Sequence, residues 1–143
     1  MDKNLQTLEL DKVLALLAEQ TTCDDAKEAA LALRPAADPG EIALLLDQTE
    51  DAFSMLARFG APSFGGLHNV NGPLQRAAAG GCLNMTELLQ VGDTLRALRI
   101  LDDWHGHLAG TSSSLNFFFD GITVNKYLEL SLIHISEPTR RSY

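Results

Sequence analysis

DPGEIALLLDQTEDAFSMLARFG, residues 38–60, carries both ends of a helix in its own letters. The Asp38 carboxylate is placed to accept from the first-turn amides, and Pro39 suits the first helical position because its missing N–H has no partner to lose. Glu41 stands three residues on, where a reciprocal cap belongs. Ile42, Leu45, Leu46, Thr49, Ala52, Phe53 and Leu56 then form one apolar stripe, and Gly60 supplies the stop.

The same reading extends in both directions. Towards the start, Leu5, Leu8, Leu10, Val13, Leu14, Leu16 and Leu17 recur mostly at threes and fours, with Glu9, Asp11, Lys12 and Glu19 on the other face. Thr22 with Asp25 reads as a cap-like start to a second helix through Ala26, Ala29, Ala30 and Leu33, which Pro35 ends. Towards the other end, residues 61–71 hold two glycines and a proline and read as a structured loop. A short helix through Pro73, Leu74 and Ala77 closes at Gly80-Gly81. Asn84 and Glu87 open the longest helix, through Leu88, Leu95, Leu98, Leu101, Trp104 and on towards Leu108. Gly110 to Ser114 reads as a flexible connection, after which Phe117-Phe118-Phe119 and Ile122 pack back onto the bundle. The expectation is an all-α chain, an irregular bundle of about five helices. Low aromatic content, 6%, and the abundance of Leu and Ala agree with it.

With 143 residues, 45% of them hydrophobic, the chain has material for one domain of ordinary size. Its formal charge of −8 argues against a phosphate-gripping surface within this chain. Cys23 and Cys82 stand far apart in no C-x-x-C arrangement, which suits a reducing, cytoplasmic compartment. The opening residues lack the basic and apolar regions of a signal peptide, and no apolar run reaches the ~20 residues needed to span a bilayer.

The motifs of common chemistries are missing. No G-x-x-x-x-G-K-[ST] or G-x-G-x-x-G occurs, so the glycines at 65–66 and 80–81 read as turns. His105 and His107, two apart on a helix, diverge; they read as solvated histidines suited to the negative end of the helix dipole. Cys82 or Cys23 would add metal-ligand types without zinc spacing. Glu50-Asp51 and Asp102-Asp103 read as solvated faces, and Asp24-Asp25 as first-turn carboxylates. Ser112 to Ser114 has no nucleophile elbow and reads as linker. No catalytic, cofactor-binding or metal-ligating residue is expected here.

Residues 130–140, LSLIHISEPTR, stand apart: eleven consecutive residues in one frame resemble a translated transposase sequencing adapter. The alternative is a true apolar strand followed by a polar tail. The expected organisation is a helical segment over 1–129 and a non-native tail over 130–143. Setting the tail aside removes Glu137, Arg140 and Arg141 and leaves the balance one unit more acidic.

The segment Thr7 to Leu14, the Leu33-Arg34-Pro35 junction, the Glu50-Asp51-Ala52 helix, and above all Pro62-Ser63-Phe64-Gly65-Gly66-Leu67 resemble the bacterial MutS-two family. Leu74-Gln75-Arg76-Ala77, Gly80-Gly81, Leu88-Leu89 and Asp93 to Ala97 continue the likeness, which covers about residue 5 to Glu129. Asn69 departs from it, standing where the family usually has an acidic residue. The resemblance implies the truncated N-terminal part of a larger MutS-like core domain. The full-length family is a homodimeric, cytoplasmic ATPase and endonuclease using ATP and Mg. It is associated with DNA junctions, suppression of recombination and, in some bacteria, rescue of collided ribosomes. Its phosphate loop and nuclease motif match no position here, so no site residue carries over. The competing expectation is a self-contained acidic helical module that binds a partner protein; a third is a small metal-binding regulator using His105 and Cys82.

Overall fold

The structure, a computed structural model, describes residues 7–108 and 113–136. It is all-α: seven helices and no strand occur among the described residues. The count exceeds the expected five because Asn116–Asp120 and Lys126–Ser136 are helices in their own right. The chain divides into two compact units, Met1–Ala36 and Ala37–Tyr143.

The first unit holds α1 (Leu10–Glu19) and α2 (Asp24–Ala32), packed on each other. Among its described residues Leu14, Ala18 and Ala30 are buried, while Leu8, Val13, Leu16 and Leu17 of the apolar pattern stay exposed. Two short helices have too little inward surface to cover so many leucines. Leu5 lies outside the described residues. The start expected at Thr22 falls instead at Cys23, whose side chain makes no capping hydrogen bond, and Asp24 and Asp25 fill the first turn. There the carboxylates favour the helix dipole instead of a side-chain cap. The stop before Pro35 is as expected, with Leu33 already extended.

The second unit holds α3 (Pro39–Phe59), α4 (Asn71–Ala78), α5 (Met85–Gly106), α6 (Asn116–Asp120) and α7 (Lys126–Ser136). Both marked helix starts behave as their letters indicate. Glu41 N donates to Asp38 Oδ2 at 2.9 Å. At Asn84 the box is complete: Glu87 N donates to Asn84 Oδ1 and Asn84 N to Glu87 Oε2, each at 2.9 Å. Gly60 ends α3 at a φ of 77°, where a Cβ would strain the backbone.

α5 is the centre of this unit, packing against α7 and α6. Val91, Ala97 and Leu101 are buried on it, joined by Met55 of α3 and by Leu108. Gly92 of α5 is buried as well, and an added Cβ there would lie 3.5 Å from Cβ of Leu132 on α7. Residues 130–136, read as an adapter or as an apolar strand, thus continue α7 as a helix; those beyond Ser136 lie outside the described residues.

The stripe read along α3 is formed but not covered. Ile42, Leu45, Leu46, Phe53 and Leu56 remain 38–73% exposed, and Met55 is the one buried residue of the helix. Helical periodicity reports which face wants burial; it does not supply a partner for that face.

Candidate functional site

Three arrangements gather chemistry in the second unit, and none is a catalytic constellation. The first joins α5 to α7. Arg99 Nε donates to Glu129 Oε2 at 2.9 Å and Nη2 to Oε1 at 3.0 Å, a side-on pairing that uses both carboxylate oxygens. Arg96 Nε lies 3.9 Å from Glu129, and Arg99 Nη1 reaches Asp103 at 3.4 Å. Glu129 is only 4% exposed. The hydrogen bond and charge of Arg99 hold its carboxyl below the ordinary carboxylate range, outweighing the upward push of burial, with Arg96 and Lys126 adding to the effect.

The second arrangement ties α3 to the start of α6. Asp51 Oδ2 accepts from Ser114 N at 2.7 Å, Ser114 Oγ at 2.8 Å and Ser113 Oγ at 3.0 Å. The Ser114 amide, then the Ser114 and Ser113 hydroxyls, hold the Asp51 carboxyl below its ordinary value. Two expectations are corrected here. Asp51 is a tethering carboxylate and not a solvated one, and Ser113 and Ser114 are anchored and not linker; Gly110 to Ser112 lie outside the described residues. An acidic residue on a helix and a serine run sixty positions away carry no joint signal in the sequence.

The third is an apolar groove of about 200 Å³ within this unit, lined by Ala52, Met55, Leu56, Pro62, Phe64, Trp104, Leu115 and Phe119. Trp104 and Phe119 meet with ring centroids 6.0 Å apart. His105 also turns inward: its ring stacks on Phe119 at 4.3 Å and 3°, and its Nε2 lies 3.2 Å from Asn116 Oδ1. It is therefore a half-buried packing residue and not the solvated histidine its place near a helix end indicated, because α6 folds back over it. His107 remains exposed. Of the three phenylalanines expected to pack back, Phe119 does; Phe117 and Phe118 stay exposed.

The Phe-Gly-Gly loop is fixed against α5. Gly66 adopts a φ of 87°, with the Asp93 carbonyl 3.4 Å from where a Cβ would be, and His68 N donates to Thr94 Oγ1 at 3.2 Å. Asn69 makes a local turn ahead of α4, its Oδ1 accepting from Asn71 N at 3.1 Å, while Val70 at the helix start gives no side-chain cap. Arg76 pairs with Glu87 beside Gly80-Gly81, linking the α4 end to the α5 cap. Among the described residues no group of three or more His, Cys, Asp or Glu is arranged to hold a metal ion, and no helix is long and apolar enough to cross a membrane. Cys23 is half-buried and Cys82 exposed, each with a free thiol.

By fold the second unit is of the all-α class, with polar clusters that tether one helix to another. Its sequence relatives narrow that class. The chain is 40% identical over 97 residues to the endonuclease MutS2 of Agathobacter rectalis, covering 68% of this chain and 12% of the relative. It is 36% identical over 103 residues to that of Acetivibrio thermocellus, covering 72% and 13%. For that of Geobacillus thermodenitrificans the identity is 38% over 114 residues, covering 75% and 14%. No family model matches the chain. The chain is thus homologous to a segment of the MutS2 family, and it spans 12–14% of the length of these curated relatives.

Proposed function

We propose that this chain is the N-terminal structural segment of a MutS2-type core, holding other parts of the protein in register while doing no chemistry itself. The uncovered apolar stripe of α3 carries this reading: Ile42, Leu45, Leu46, Phe53 and Leu56 form the inward face of a helix whose covering partner is supplied from elsewhere. In this proposal the parent protein is a cytoplasmic, homodimeric ATPase and endonuclease that uses ATP and Mg. Its DNA-junction or ribosome contacts lie in other domains, and this segment transmits nucleotide state to them mechanically. Residues 1–129 are its natural portion and 130–143 a non-native tail. The net charge of −8 supports placing the phosphate contacts elsewhere.

Resequencing the locus past Glu129 by a method free of transposase adapters tests the proposal. A frame that runs on into a phosphate-binding loop supports it; a frame that closes through Ser136-Glu137-Pro138-Thr139-Arg140 overturns it. The second reading, a self-contained acidic module that binds a partner protein, is favoured by the same acidity and would then stand. Residues 1–129 alone should self-associate or melt broadly; a monomeric, cooperative transition would count against the core-segment reading.

A further inference from the structure

We propose that the face of α5 around Gly92 is the seat of the protein's own next segment. The natural residues after Glu129 continue α7 as a helix for about two further turns, with an apolar side chain at position 132, and residues 130–136 stand in for them. The inference rests on the reading of 130–143 as a non-native tail, and deepens it by stating the form and place of what the tail replaced.

What fixes this helix lies before the tail. Asn125 Oδ1 accepts from Leu128 N at 3.0 Å, and Glu129 N donates to the Asn125 carbonyl at 3.1 Å, which together start the first turn. Glu129 is then pinned to Arg99 by two hydrogen bonds. Once a first turn is formed, each further residue adds a hydrogen bond, so the helix extends in the direction its start has set. That direction is antiparallel to α5. Glu129 meets Arg99, and three residues on Leu132 meets Gly92, seven positions earlier on α5.

The letters of the tail do not explain its helix. Leu130-Ser131-Leu132 and Ile133-His134-Ile135 alternate apolar with polar, which is the period of a strand. Wound as a helix, they leave Leu130 57% and Ile135 49% exposed. A slot of about 190 Å³ also stays open where Leu132 and Ile133 meet Leu88, Leu89 and Gly92, with Asp93 and Arg96 lining it too. The place is helical by position, and its present occupants fit it on one side only. Position 132 faces α5 and position 130 faces water, so a fitted sequence is apolar at the first and polar at the second.

Resequencing past Glu129 supplies the natural residues, and the natural full-length protein is then cross-linked. In a background of Cys23→Ser and Cys82→Ser, Gly92→Cys is paired with a cysteine placed at position 132 or, as the control, at position 130. An added Cβ at Gly92 lies 3.5 Å from Cβ of residue 132, within the reach of a disulfide. The expected result is a natural sequence free of proline through position 136 and apolar at 132. The 92–132 pair should then close under mild oxidation, seen as a mobility shift on a non-reducing gel, and the 92–130 pair should not. The same 92–132 pair, made with Leu132→Cys in the 143-residue chain, should close as well. A frame that runs on but carries a proline within 131–135 or a charge at 132 overturns this inference and leaves the core-segment reading standing. Equal closure of the two pairs, or closure of neither, does the same. A frame that closes through the tail overturns both.

Discussion

Arg99 and Glu129 meet through two nearly equal hydrogen bonds, 2.9 and 3.0 Å, across thirty positions of sequence, and they fasten the middle of α5 to the start of α7. The Arg side is 28% exposed and the Glu side 5%, so the carboxylate is the partner withdrawn from water. A withdrawn charge tolerates the loss of its partner poorly.

Glu129→Gln keeps the shape and removes the charge, and should lower stability by about 1–3 kcal/mol at neutral pH. The folded carboxyl titrates below its ordinary value of 4.5. Its contribution is therefore full above that value and is lost as pH falls through the lower, folded one. Asp51 and Glu87 are depressed too, so the acid limb is shared. Denaturation midpoints between neutral pH and about pH 3 should fall less steeply for Glu129→Gln than for the parent chain. Parallel curves would refute the role given to this pair.

Asp51 and Glu50 are neighbours on α3, yet the two substitutions should differ. Asp51→Ala removes the acceptor of three hydrogen bonds from Ser113 and Ser114, and should lower the melting temperature and speed exchange of the Ser114 amide. Glu50 is exposed, and Glu50→Ala should do neither. Equal effects on amide exchange would contradict the tether.

The cap of α5 gives a prediction independent of tertiary contacts. Asn84→Ala removes the side-chain half of the capping box and should cost about 1 kcal/mol, measured by chemical denaturation. Asn84→Asp keeps an acceptor and should recover most of it.

Two glycines should answer in opposite senses. Gly66→Ala forces a Cβ into a φ of 87° with the Asp93 carbonyl 3.4 Å away, and should destabilise by about 1–2 kcal/mol. Gly92→Ala places its Cβ in ordinary contact with Leu132, within a helix, and should stabilise by about 0.5–1 kcal/mol. Comparing the two denaturation midpoints checks the conformation of the Phe-Gly-Gly loop and the α5–α7 crossing together.

Local chemistry made much of this protein legible. Asp38-Pro39, Asn84 with Glu87, Pro35 and Gly60 each act within a turn or so of chain, so their letters mark helix ends regardless of what packs nearby. The all-α class and the positions of the longer helices follow from them. The start of α2 was legible only to within a residue or two, because first-turn carboxylates and a side-chain cap stabilise the same helix end from adjoining positions.

Tertiary structure decided the rest. Whether Asp51 is solvated, whether Ser113 and Ser114 wander, and whether His105 faces water depend on α6 folding back over α3 and α5, a contact between residues far apart in sequence. The pairing of Arg99 with Glu129 depends likewise on how α7 crosses α5. The sequence alone determined which faces are apolar. Only the packing decided which of them are buried, because burial is a property of two surfaces and the letters of one helix describe just one of them.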